Sequence, residues 1–224
     1  MIRKHILTDD GSGTIFSEMF NQHYHSHFGA LQESMHIFIE AGLSSPQLFE
    51  KENISILEIG FGTGLNALLT FFKAMELRKK IYYETIELYP LTSQETDQLN
   101  YPSILPYSNV KEIFTALHNA KWNEEQRIAD FFTLQKRLTS AINASYVSNK
   151  FDLVYFDAFS PDAQPEMWNK EVFEPIYNSM KHDSILLSYC VKGIVKQTLT
   201  AIGFQIEKLP GPVGKREIIR ARKV

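Results

Sequence analysis

A run of closely spaced glycines and three carboxylates are the residues best placed to do chemistry. In Glu58-Ile59-Gly60-Phe61-Gly62-Thr63-Gly64-Leu65-Asn66-Ala67, glycine recurs at every second position. Such a run lets the chain turn sharply and lets a ligand approach the backbone without meeting a Cβ. Gly62, Gly64 and Ala67 also satisfy a loose dinucleotide fingerprint, a weak signal when it stands alone. Charge separates the candidate ligands. Glu58 stands two residues before the first glycine, where a carboxylate repels a pyrophosphate and attracts a cation. S-adenosylmethionine carries an ammonium and a sulfonium and no phosphate, so it suits this loop better than a dinucleotide.

Glu87 closes the next apolar run, at a position where a carboxylate can accept both ribose hydroxyls of an adenosine. That role is common to nucleotides and adenosylmethionine. Either glutamate could also be an ordinary solvated carboxylate. Asp157 ends another apolar run and opens Asp157-Ala158-Phe159-Ser160-Pro161-Asp162-Ala163-Gln164-Pro165-Glu166-Met167-Trp168. In a doubly wound sheet this strand neighbours the first, so Asp157 is expected to face the same crevice as the glycine loop. There it can orient an amine or take its proton. The competing reading is a helix cap, a task that Ser160 or Asp162 could also perform.

The elements that must position these groups are short apolar runs, most of them free of charge: Ile54–Ile59, Ile81–Ile86, Phe131–Leu134, Leu153–Phe156 and Ile185–Tyr189. Such runs read as strands covered on both faces. Helical periodicity lies between them, most clearly at Leu65, Leu68, Leu69, Phe72 and Met75. The alternation predicts an α/β fold with a doubly wound, mostly parallel sheet. Phe204–Lys208 and Glu217–Ala221 flank a loop too short for a helical crossover, so they are expected to form an antiparallel hairpin. Residues 1–50 form an amino-terminal elaboration with one helix carrying Leu31, Met35, Phe38 and Ile39. Leu91–Asp130 has room for more than one helix, including one around Val110, Ile113, Phe114 and Leu117.

With 224 residues, 44% of them apolar, and no internal repeat, the chain reads as one domain over 1–224, its sheet core spanning 51–224. The net charge of −3 argues against indiscriminate coating of nucleic acid. It conceals an asymmetry: residues 208–224 carry +5 and the remainder −8. The basic tail could meet phosphate, or it could be an edge strand protected by charge. Lys215 and Arg216 are its candidate phosphate anchors, and Phe159 is a candidate stacking platform for an extruded base. The single cysteine, Cys190, permits no internal disulfide and reads as a buried filler. No export signal or membrane span is visible, so the expected location is the cytoplasm. The alternating His23, His25 and His27 could invite a metal. No carboxylate accompanies them in sequence, and no metal is expected.

Taken together, several segments resemble the methyltransferase domain of the tRNA 5-methylaminomethyl-2-thiouridine biosynthesis enzyme, MnmC, and its stand-alone relatives. They are Gly29-Ala30-Leu31-Gln32-Glu33-Ser34, Leu57–Asn66, Glu87-Leu88-Tyr89-Pro90-Leu91, Phe156–Pro161 with Pro165–Trp168, and Gly211–Glu217. The resemblance implies a Rossmann-like methyltransferase fold that uses S-adenosyl-L-methionine. It also implies methylation of the free amine of 5-aminomethyl-2-thiouridine at the tRNA wobble position. Asp157 matches the family's proposed catalytic acid. Glu58, Gly60, Phe61, Gly62, Thr63, Gly64, Asn66 and Glu87 fall on its cofactor side, and Glu33, Phe159, Ser160, Pro161, Lys215 and Arg216 on its substrate side.

Departures from the family pattern carry expectations of their own. The fused relatives have an FAD-dependent oxidase domain, whereas this sequence stops at Val224, so no flavin is expected and the amine would come from another enzyme. Ala163-Gln164 stands where the fused enzymes commonly have Lys-Asn. No acid follows the third strand to hold an adenine amino group, so Thr139, Ser140 or backbone carbonyls would substitute. The main alternative is a small-molecule amine methyl- or aminopropyltransferase on the same fold. A nicotinamide oxidoreductase is disfavoured by Glu58, and a binding module without turnover is a third possibility.

Overall fold

The computed structural model describes residues 2–224. The chain opens with a small antiparallel sheet of β1 (Arg3–Leu7), β2 (Gly13–Ser17) and β3 (Gln22–His23). Next comes α1 (Ala30–Ser34), which runs directly into a π-helical segment, Met35–Leu43. The main sheet then begins with β4 (Asn53–Ile59), α2 (Leu65–Leu77) and β5 (Lys80–Glu87). Three helices follow, α3 (Ser93–Thr96), α4 (Tyr101–Ile104) and α5 (Val110–Asn119), and then the strands β6 (Glu125–Ala129), β7 (Phe132–Leu138) and β8 (Phe151–Phe156). The last part comprises α6 (Lys170–Ser179), β9 (Met180–Ser188), α7 (Gly193–Ile202), β10 (Phe204–Pro210) and β11 (Glu217–Lys223).

The eight strands of the main sheet lie in the order β10-β11-β9-β8-β4-β5-β7-β6. The five central strands, β7, β5, β4, β8 and β9, run parallel. At one edge β6 pairs antiparallel with β7, and at the other β11 is antiparallel to both β9 and β10. This is the expected doubly wound α/β sheet with an antiparallel carboxyl-terminal hairpin.

Apolar side chains leave both faces of the central strands in alternation, as the pleat requires. Ile54, Ile56, Leu153 and Tyr155 enter one core with α2 and the π-helical segment; Leu57, Ile59, Val154 and Phe156 enter the other with α6 and α7. The helix face read from the sequence is buried at Leu65, Leu68, Leu69 and Phe72, while Met75 is exposed. Phe38 and Ile39 are buried as expected. No helix among the described residues is long and apolar enough to cross a membrane.

Two features differ from expectation. The third parallel strand continues through Gln135, Lys136 and Arg137 because Lys136, only 1% exposed, finds partners inside the protein. Its ammonium donates to the His118 carbonyl at 2.6 Å and lies over the Trp122 ring at 4.6 Å. Burial lowers its pKa to about 8. The three-stranded amino-terminal sheet and the edge strand β6 were not anticipated, because their strands are short and half polar.

Candidate active site

The carboxyl ends of β4, β5, β7 and β8 open into one cleft with a cavity volume of about 400 Å³. This is where a parallel open sheet presents a ligand site. The amino-terminal segment walls its far side: Gln22 donates its Nε2 to the Ser160 hydroxyl at 2.5 Å and accepts at Oε1 from the Ser160 amide at 3.2 Å. Arg3 donates to the carbonyls of Tyr89 and Pro90, beyond the end of β5.

The glycine run makes the turn from β4 into α2, and Gly60, Gly62 and Gly64 all have positive φ. At Gly64 the need is also spatial, since a Cβ would stand 2.8 Å from Nε2 of His118. That nitrogen is 3.0 Å from the Thr63 carbonyl, so it must carry the proton. Burial depresses the pKa of His118 to about 4 and keeps the ring neutral. Phe61 packs edge-on against His118 and Trp122, which fixes the loop from behind.

Glu87 lines the cleft with each carboxylate oxygen on a backbone amide, Gly62 at 3.0 Å and Tyr89 at 2.7 Å. The carboxylate is thereby oriented and retains lone pairs for a ligand. Thr139, Ser140 and Ala141, just after β7, line the same cavity, and the Thr139 amide donates to the Glu87 carbonyl.

Asp157 lies at the cleft end of β8. Its Oδ2 accepts from Nδ2 of Asn66 at 2.9 Å. Burial, reinforced by the charge of Glu33, pushes its pKa up to about 7, against the opposing influence of Asn66 and Lys215. Glu33 and Lys215 form an ion pair on the cleft wall, and Glu33 also accepts from the Ser26 amide at 2.5 Å. Phe159 stacks on Phe20 with centroids 4.4 Å apart and meets Tyr24 edge-on at 5.0 Å.

Glu58 requires correction. It is completely buried, does not line the cleft, and burial pushes its pKa up to about 8. The reason is parity along β4: Glu58 shares a face with Ile54 and Ile56, beneath α2, rather than projecting from the strand's open end. It therefore offers no charge to a cofactor, and the argument that it repels phosphate fails. Gly64, which faces His118, and Pro161 and Arg216 also lie outside the cavity lining, and Arg216 is exposed.

The basic tail is largely neutralised by partners. Lys208 pairs with Glu217, Arg220 with Glu207 and Arg222 with Asp183; Lys223 donates to the Tyr177 and Met180 carbonyls. With Lys215 on Glu33, five of its six basic residues are engaged within the protein.

Sequence reasoning did not single out Phe20, Gln22, Tyr24 and Tyr189, all of which line the cleft. The alternating histidines were the available signal, for His23, His25 and His27 also reach it. His25 is hydrogen-bonded to Thr14 at 2.9 Å, and burial depresses its pKa to about 4. Cys190 is a buried free thiol.

Residues 110–224, just over half of the chain, match the sequence model of a family described as S-adenosyl-L-methionine-dependent methyltransferase. The chain belongs to that family. Among curated proteins, it is 28% identical over 239 residues to the tRNA 5-methylaminomethyl-2-thiouridine biosynthesis bifunctional protein MnmC of Actinobacillus pleuropneumoniae serotype 5b, covering 97% of this chain and 35% of the relative. It is 30% identical over 227 residues to the protein of the same name from Leptospira interrogans, covering 96% and 34%. The chain thus spans about a third of the length of these relatives.

In three dimensions it resembles MnmC2 from Aquifex aeolicus, with a TM-score of 0.83 and 24% identity over 98% of this chain and 69% of that one. Spermidine synthase from Thermotoga maritima shares the fold more distantly, at a TM-score of 0.54 and 9% identity over 100% and 80%. The cleft suits the family's cofactor: Gly60, Phe61, Gly62 and Thr63 bring the loop to the cavity, and Glu87 presents an oriented carboxylate suited to a diol.

Proposed function

We propose that this chain transfers a methyl group from S-adenosylmethionine to the primary amine of 5-aminomethyl-2-thiouridine at the wobble position of tRNA. The names of the relatives supply the substrate class. The observation that carries the reading is the half-buried Asp157 at the cleft end of β8, with its proton affinity raised to near neutrality beside an aromatic wall. In this reading it acts on RNA in the cytoplasm.

Bound S-adenosylmethionine supplies a methyl group on a sulfonium, open to in-line attack by a nucleophile. In this reading Gly60 and Gly62 bring the loop backbone to the cofactor, Glu87 holds its ribose, and Thr139 and Ser140 flank its base. An alkylammonium has no lone pair. Asp157 removes that obstacle by accepting the proton, and at about 7 its affinity is far better matched to an amine than that of an ordinary aspartate. Asn66 holds the carboxylate in place through its amide. Phe159 and Phe20 give an extruded base a flat apolar surface and help to exclude water. Lys215, paired with Glu33, shapes the wall rather than serving as a free phosphate anchor. Ser160 serves that wall too, through Gln22. Arg216 is left as the tail's exposed contact for the RNA backbone.

The test is transfer of labelled methyl from S-adenosylmethionine to total tRNA from cells lacking this gene, followed by nucleoside mass analysis. Conversion of aminomethyl to methylaminomethyl uridine is expected. Cofactor binding without tRNA methylation would redirect the assignment to a small-molecule amine or a binding module.

A further inference from the structure

β8 ends at Phe156, and the loop that follows carries both Asp157 and the aromatic wall of the cleft. Two carbonyls of that loop are held by side chains from other parts of the chain. The hydroxyl of Tyr189, just past β9, donates to the Ala158 carbonyl at 2.8 Å, and Nε1 of Trp168 donates to the Phe159 carbonyl at 2.7 Å. Among the described residues no backbone amide donates to either carbonyl. Chemistry fixes the direction of both bonds, since a carbonyl only accepts and an indole N–H only donates.

The two donors are themselves held in place. Their rings meet edge-on with centroids 6.1 Å apart. Trp168 is 3% exposed and packs against Phe156 with centroids 5.0 Å apart. On Tyr189, the ammonium of Lys215 lies 4.2 Å from the ring centroid, and Lys215 is tied in turn to Glu33. Burial pushes the Tyr189 phenol well above its ordinary range, so the hydroxyl keeps its proton. Packing alone asks only for rings; these two residues also place a polar hydrogen on consecutive carbonyls.

Consecutive carbonyls belong to consecutive peptide planes. That of Ala158 lies in the plane before Phe159 and that of Phe159 in the plane after it, and each plane is rigid. Fixing both planes sets φ and ψ of Phe159, and with them the direction in which its side chain leaves the backbone. Phe159 is the ring that stacks on Phe20 in the cleft wall.

We propose that Tyr189 and Trp168 are positioning residues: a pair of donors that clamps the two peptide planes flanking Phe159 and so aims its ring at the substrate base. Its value to methyl transfer rests on the reading of Phe159 given above; the clamp itself does not.

Tyr189→Phe and Trp168→Phe each delete a donor and keep a ring. With tRNA as substrate, each should lower kcat/KM by about tenfold. The Kd for S-adenosylmethionine, measured by calorimetry without RNA, should stay within about twofold of the wild type. In a Phe159→Ala background neither change should lower kcat/KM further, because both act through that ring. Single variants with unchanged kcat/KM, or losses that multiply with that of Phe159→Ala, overturn the proposal.

A second measurement needs no methyl transfer. The Trp168 indole N–H is identified in proton–nitrogen spectra as the resonance lost in Trp168→Phe or, should that variant fail to fold, as the one retained in Trp122→Phe. Tyr189→Phe should speed its exchange with solvent by about tenfold, since the loop then keeps one clamp instead of two. An unchanged exchange rate means that the donors do not act together, and overturns the proposal. Faster exchange in a protein that leaves tRNA unmethylated keeps the clamp and loses only the substrate assignment.

Discussion

A Cβ placed on Gly60 would stand 2.7 Å from the carbonyl oxygen of Asp157, so the first glycine of the loop and the acid of the neighbouring strand are in backbone contact. Gly60 also has φ of 94°, a region costly for other residues. Gly60→Ala is therefore expected to destabilise the fold by about 2 kcal/mol. Thermal denaturation reads that loss, and calorimetry should show weaker cofactor binding in the same variant.

Activity should follow the charge on Asp157. With its pKa at about 7, kcat/KM should rise as pH increases toward and through that value and then level off. Asp157→Asn should lose roughly a hundredfold or more if the residue acts as a base. An unchanged rate would remove it from the mechanism.

Stability should respond in the opposite sense. A carboxyl whose pKa is higher in the folded than in the unfolded protein makes folding less favourable as pH rises from the unfolded value through about 7. Asp157→Asn should therefore gain in melting temperature relative to wild type at about pH 8, with the gain shrinking toward about pH 4. Parallel melting curves of the two proteins across that range check the sign.

Glu87 is held by two backbone amides before any ligand arrives. Glu87→Ala should weaken S-adenosylmethionine binding by about tenfold or more, since it removes a charged hydrogen-bond acceptor and releases the Gly62 amide. Titration calorimetry measures this without any RNA.

RNA binding should depend on one tail residue far more than on its neighbours. Arg216→Ala is expected to lower tRNA affinity and reduce the salt slope by about one, as loss of a single phosphate contact does. Arg220→Ala and Arg222→Ala should change the slope little, because Glu207 and Asp183 already engage those side chains. Binding isotherms at several salt concentrations separate the three variants.

The central sheet, the glycine loop and the position of Asp157 were legible because Ile54–Ile59 and Leu153–Phe156 are apolar runs that end at polar groups in the only direction a parallel sheet offers. The third strand was cut short at Leu134 because a lysine normally marks the surface, and nothing local announces that Lys136 will find the His118 carbonyl. The tail was harder still. Its charge is neutralised by residues remote in sequence, as with Lys215 and Glu33 or Arg222 and Asp183, and composition cannot register such pairings. Glu58 was misplaced for a different reason: proximity to a strand end locates a residue along the sheet but does not say which face it takes.

The cleft wall is joined to the sheet side by Gln22 with Ser160 and by Glu33 with Lys215, contacts that span 138 and 182 residues. Closing loops of that length costs chain entropy before any bond returns it. The central strands are thus expected to assemble early and the wall to dock late, so that catalytic competence lags behind formation of the sheet. The amides of β2 and β3 should accordingly exchange with solvent ahead of those in β4, β5 and β8.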